Sequence, residues 1–181
     1  MRWQLLILLA LSGLAFAPAT QTLPRGTLAF TLGWARSQVD SALADRGVEP
    51  ISAGSDFITT PGESPEVEFI EYSFVPMAHR GALLWKVTYG YRVPSDRQVF
   101  EGARGTLVGQ FGAPHEEHKA DVKAGNFEEK LLWVDGLTAV QLGARWTERQ
   151  DTADRMMVTW VDRKLQKQAS VQVKPKGGKK K

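Results

Sequence analysis

The chain is 181 residues long, 43% hydrophobic and 24% charged, with no cysteine. That length suits one ordinary domain, and the apolar share excludes a wholly disordered chain. The missing cysteine excludes a disulfide scaffold, thiol catalysis, an iron–sulfur site and a lipid-modified cysteine, while the charge is split between an acidic body and a basic end: residues 20–162 hold 14 basic and 20 acidic side chains, net −6, and residues 163–181 hold eight basic and none acidic.

Residues 1–19 read as a secretory signal. Arg2 is a short positive region, Leu5 to Leu14 is an almost unbroken apolar run, and Ala17-Pro18-Ala19 offers small residues before a cut. Cleavage after Ala19 fits best, because a cut after Ala17 would leave the rigid ring of Pro18 at the first mature position. The apolar run of about 13 residues falls short of the ~20 needed to span hydrocarbon, so a cleaved signal is expected over an uncleaved anchor, and the product is exported, periplasmic or secreted. No transmembrane segment is expected once the signal is removed.

A first helix is expected from about Trp34 to Arg46, with Ala35, Val39, Ala42 and Leu43 on one face and Gly47 as its stop. Ser52 to Thr60 and Glu66 to Phe74 then read as strands separated by Pro61-Gly62-Glu63-Ser64-Pro65. Alternation in the second is broken, with Val67 and Phe69 on one face and Ile70, Tyr72 and Phe74 on the other, which a bulge near Phe69 would reconcile. The clearest strand is Leu83 to Val93, where Leu83, Trp85, Val87, Tyr89, Tyr91 and Val93 fall on one face by period two.

The stronger helix begins at Ser95, whose hydroxyl would cap the first turn while Gln98 reaches back. Phe100, Ala103, Leu107 and Phe111 recur at helical spacing, and Gly112-Ala113-Pro114 ends the run. Leu131 to Val134 and Leu137 to Ala144 form a hairpin across Asp135-Gly136, a pair suited to a type I′ turn, with Thr138, Val140, Leu142 and Ala144 sharing a face. Polar Thr147 to Asp154 is a loop before a last strand, Arg155 to Val161, that presents Met156, Val158 and Trp160 on one side.

These elements predict an α+β fold: an antiparallel sheet with two helices packed on one face, an arrangement two αβββ halves would generate. The domain plan is a signal peptide over residues 1–19, a single α+β domain over 20–162, and a basic, largely disordered tail over 163–181, since Lys174 to Lys181 has no apolar period with which to offset ordering entropy.

The run Gly33-Trp34-Ala35-Arg36-Ser37-Gln38-Val39, with Leu43 and Gly47, resembles the helix start of small exported α+β proteins of the SmpA/BamE type, which serve outer-membrane assembly and whose fold is similar to the halves of beta-lactamase-inhibitor proteins. Gly112-Ala113-Pro114 and Trp133-Val134-Asp135 are similar in style. The resemblance spans about forty residues in short pieces. Ala35 stands where that pattern carries a capping Ser or Thr, and the lipid-anchoring cysteine is missing. What the resemblance implies is an envelope protein that binds other proteins and has no catalytic residues to transfer.

The residues themselves offer little chemistry. His115-Glu116-Glu117-His118 is the strongest metal candidate, but it follows the helix-ending Pro114, and in a strand residues three apart point to opposite sides; a polar loop or edge strand is the plainer reading. His79, beside Arg80 and Gly81, is a loop residue. Gly54-Ser55-Asp56 lacks the nucleophile-elbow frame, and glycines 102, 105, 109 and 112 lack phosphate-loop spacing. The pairs Glu66/Glu68 and Glu128/Glu129 look like solvated strand faces. Gly102, Gly105 and Gly109, however, form a stripe on the second helix opposite its apolar face, at a cost of roughly 0.8–1 kcal/mol each in helix propensity, and would let another backbone approach: a partner's, or this chain's own Thr20 to Thr31.

The function expected is therefore that of a non-catalytic binding protein of the cell envelope or periplasm, monomeric or weakly associating and without a cofactor. Its partner is a protein or an envelope component. Two alternatives stand beside it: a metal-binding protein or hydrolase using His115 and His118, and a polyanion binder acting through Lys174, Lys176, Lys179, Lys180 and Lys181. Nucleic acid is not expected as partner, because no aromatic residue interleaves the tail lysines to stack on bases.

Overall fold

A computed structural model describes residues 22–172 apart from 28 and 150; the expected signal and the lysines from Lys174 onward lie outside the described residues. Helix α1 (Arg36–Asp45) is followed by strands β1 (Ser52–Ala53), β2 (Phe57–Pro61), β3 (Val67–Met77), β4 (Gly81–Tyr91) and β5 (Ser95–Asp96). Helix α2 (Arg97–Phe111) leads into β6 (Glu116–His118), β7 (Glu128–Val134), β8 (Thr138–Trp146) and β9 (Thr152–Asp162), and helix α3 (Arg163–Gln172) closes the described chain. All strand pairs are antiparallel and form one nine-stranded sheet in the order β1-β2-β3-β4-β9-β8-β7-β6, with β5 paired to the start of β9.

This sheet overturns the expected two-helix α+β arrangement and its derivation from two αβββ halves. The molecule is mainly antiparallel β, and its third helix lies on the other face of the sheet from α1 and α2. Val39 and Leu43 of α1, with Phe100, Leu107 and Phe111 of α2, share one core with the inner-face residues Ile70, Tyr72, Leu84, Val87, Val140, Leu142, Met156 and Trp160. By contrast α3 packs over β3, β4 and β9, and Ala169 sits beside Glu71, Ser73, Trp85 and Lys86, which point away from that core. Residues 163–172, assigned by composition to the tail, are thus helical: the buried Asp162 carboxylate accepts the Lys164 and Leu165 backbone N–H groups at 2.9 Å each and so caps the helix.

Local sequence explains most other departures. Asp96, one residue after the expected Ser95, caps α2 by accepting the Val99 N–H at 2.9 Å, whereas the Ser95 hydroxyl turns back to the Arg92 carbonyl. Gly112, at φ 71°, ends the helix as its sequence implies, and α1 stops before Gly47 at φ 66°. At Ala35 there is no oxygen to cap α1, but Gln38 accepts the Ala35 N–H at 2.8 Å. The hairpin closes around Gly136 and Leu137, with the Asp135 carboxylate accepting the Leu137 and Thr138 N–H groups; Gly136 does not take the positive φ that a type I′ turn requires.

Two bulges reset the alternation. One between Val67 and Phe69 turns Val67 toward the core and lays the Phe69 ring over Gly90 on the outer face. The other leaves Trp85 unpaired opposite Ser73 and Phe74, so that Leu84, Val87, Tyr89 and Tyr91 share the inner side while Trp85 faces α3. Where β9 gives way to α3, the segment around Gly33 takes its place along β4, with the Gly33 N–H on the Leu84 carbonyl at 2.7 Å and the Leu84 N–H on the Trp34 carbonyl at 2.8 Å. The preceding strap inserts Phe30 among Tyr72, Tyr89 and Trp160, with ring centroids 6.2–6.3 Å apart.

Candidate binding surface

The inner face opens at the end of the sheet marked by the β2–β3 loop, residues 62–66, with α1 on one side and α2 on the other. All three tyrosines of the chain lie on this inner face, because positions 72, 89 and 91 are in phase on β3 and β4. Tyr72 floors a cavity of about 420 Å³ under the C-terminal end of α1, beside Leu43, Val48 and Thr60. Tyr89 floors an adjoining one of about 360 Å³ beside Thr27 and Ala29 of the strap. Glu63 lines both cavities and is paired with Arg46, which follows α1.

On the α2 side, Tyr91 floors a groove of about 530 Å³ walled by Val67, Val99, Gly102, Ala103 and Thr106, with Glu66 and Asp96 at its edge. The Ser64 hydroxyl bonded to Glu66 holds that exposed carboxyl below the usual range. Burial pushes all three phenols above the ordinary tyrosine range, Tyr89 most strongly. Hydrogen bonds with Thr60 and Thr27 oppose the shift at Tyr72 and Tyr89 respectively, and the Glu66 charge adds to it at Tyr91. At neutral pH the floor is therefore uncharged: aromatic faces, hydroxyls and a self-neutralised Arg46–Glu63 pair.

The glycine stripe adjoins this groove. A methyl group built at Gly102, Gly105 or Gly109 meets nothing within 4 Å, and all three residues are exposed. The described part of the segment Thr20 to Thr31, one of the two backbones expected to approach the stripe, is instead held elsewhere, by Leu23 N–H to Asp135, by Arg25 to Asp162 and by Phe30 in the core. Sequence reasoning found the stripe but missed the tyrosine floor next to it, for which the in-phase positions 89 and 91 were the available signal.

The other candidates separate. Glu116 and His118 lie on the exposed edge strand β6 and His115 just before it; the Nδ1 of His115 accepts the Val134 N–H at 3.2 Å, and His118 stands 3.8 Å from Glu116. Among the described residues no group of three or more His, Cys, Asp or Glu is placed to hold a metal ion. His79 is an exposed turn residue at φ 65° between β3 and β4. Glu129 departs most from its expected solvated position: it is 5% exposed, accepts the Arg97 guanidinium at 2.6 Å and the Trp146 indole N–H at 2.8 Å, and Arg97 stacks 3.6 Å from the Trp146 ring centroid. This cluster ties α2 to β7 and β8.

The site thus belongs to a mainly antiparallel sheet protein with an open, aromatic-floored edge. No helix among the described residues is long and apolar enough to cross a membrane. No family model, curated protein or solved structure matches the chain.

Proposed function

We propose that this is an exported, non-catalytic binding protein that holds a protein partner along the groove between β3, β4 and α2. One observation carries the reading: the exposed glycine stripe runs beside a groove floored by Tyr91, so a partner's backbone can approach α2 closely while its side chains enter the groove. Tyrosine suits such contact, since it supplies large area at small cost in rotamer freedom together with a hydroxyl for orientation. Export is supported by the signal-like residues 1–19, and a binding role by the likeness of the Gly33–Gly47 run to exported envelope-assembly proteins.

Site-directed photocrosslinking in the native compartment tests this. A benzophenone side chain at Gly102 or Thr106 should yield one defined adduct, absent when the probe is moved to Glu148, and Gly105→Arg should reduce the Thr106 adduct at least tenfold without loss of fold. Adducts that are the same at Glu148, or indifferent to Gly105→Arg, would remove the groove as the contact surface.

A further inference from the structure

From the placement of α3 we infer that the outer face of this helix docks on an anionic lipid surface. At about 100° per residue, Arg163, Lys164, Lys167 and Val171 fall within one arc of roughly 100° on α3, while Leu165 and Ala169 lie opposite. Burial agrees with that division: Leu165 and Ala169 are half-buried toward the sheet, and the arc is exposed, Val171 at 71%. Among the described residues no carboxylate forms a salt bridge with Lys164 or Lys167, while Arg163 donates to the Asp135 carbonyl and its charge also acts on the Asp135 carboxylate. The sequence after the helix adds Lys174, Lys176 and Lys179–Lys181 with no acidic residue.

Helix α3 is rigidly mounted at its first turn. One oxygen of Asp162 caps α3 and the other takes Arg25, so the first turn is tied to both the sheet and the strap. A fixed helix that turns three cations and an apolar side chain outward matches an anionic bilayer interface, where ammonium and guanidinium groups meet phosphates and a valine enters the headgroup boundary. A purely ionic polymer would have no use for Val171 within that arc. The sequence from residue 163 onward holds eight basic and no acidic side chains, whereas residues 20–162 are net acidic, so the attraction acts through the α3 side of the protein.

The test uses the chain from Thr20 onward, which contains every described residue, and sedimentation with vesicles of phosphatidylcholine alone or with 30% phosphatidylglycerol. Binding is expected only to the anionic vesicles, with a steep fall between 50 and 300 mM salt. Since each cation near such a surface strengthens partition about fivefold, Lys164→Gln with Lys167→Gln should weaken it roughly 25-fold. Val171→Ser should weaken binding to vesicles yet leave retention on heparin unchanged. Equal binding to neutral vesicles, indifference to the two lysine substitutions, or equal effects of Val171→Ser on vesicles and heparin would each overturn the proposal, the last by showing a general polyanion contact. Circular dichroism of each variant separates a lost surface from a lost fold, since all three positions are exposed.

Discussion

Replacing Gly102 and Gly105 by alanine should stabilise the protein, and the size of the gain follows from the geometry. Both residues lie inside α2 at ordinary helical φ, and the added methyl groups meet nothing within 4 Å. Neither strain nor new packing enters, so the change reduces to helix propensity, about 0.8–1 kcal/mol per site, part of which arises from restricting the unfolded chain. The pair should contribute about 2 kcal/mol, which for a domain of this size raises Tm by about 4–8 °C. Gly62→Ala is the opposing control, because its methyl would stand 1.9 Å from the Val67 carbonyl oxygen, a backbone atom that cannot swing aside; it should cost about 1–3 kcal/mol. Paired urea and thermal melts measure all three. A Tm unchanged or lowered by the Gly102/Gly105 double substitution would refute the claim that this helix face is empty, and with it the explanation of why glycine stands there. Crosslinking in the same variant then asks whether the lost stability serves contact: a stabilised protein with undiminished adduct would leave the stripe without a function.

Three further outcomes follow from the buried polar groups. Glu129→Ala should cost about 3 kcal/mol, since it leaves the Trp146 N–H without an acceptor and Arg97 without its carboxylate, while Glu129→Gln, which keeps an acceptor, should cost less; chemical denaturation reads both. Thr138→Val should be neutral or stabilise by up to about 1 kcal/mol, because the Thr138 hydroxyl is buried without a hydrogen-bond partner. Absorbance titration of the folded protein should show little tyrosinate as pH passes the ordinary tyrosine range, and a normal titration once it is unfolded. As the folded phenols ionise above their unfolded values, the stability they confer is fully present below about pH 10 and is lost as pH rises through the folded range. Early appearance of three tyrosinates in the folded state would contradict the burial of the floor.

What the sequence could show depended on whether one local pattern decided the outcome. The inner faces of β8 and β9 were legible because Thr138, Val140, Leu142, Met156, Val158 and Trp160 alternate without interruption and each is buried. β4 was legible as a strand but not in phase, since the bulge that turns Trp85 outward depends on its pairing with Ser73 and Phe74 and leaves no mark in β4 itself. Glu129 lay in phase with Leu131 and Trp133, so period two already placed it inward; its charge argued the other way, and the deciding partners, Arg97 and Trp146, are distant in sequence. Helix α3 was hidden for a related reason. Composition made it a solvated tail, whereas its stability comes from Asp162 and a footing on the far side of a sheet whose order could not be read from the chain. The tyrosine floor was within reach of periodicity but required knowing that α1 and α2 leave the β2–β3 end uncovered.

The two proposed surfaces have opposite electrostatic character, and this makes them separable in one protein. Within the tyrosine-floored edge the phenols stay neutral and Arg46 is matched by Glu63, leaving Glu66, already held below its usual range, and Asp96 as carboxylates at the rim of the α2 groove. Shape and apolar contact dominate there, so capture at the groove should vary only weakly with salt. The α3 surface holds exposed cations, whose long-range attraction is screened once the Debye length falls below about 10 Å near 0.1 M salt. Raising salt from 50 to 300 mM should therefore abolish vesicle binding while the Thr106 adduct persists. A common salt dependence would mean that one electrostatic contact underlies both, and the division of labour between the two faces of the sheet would fall.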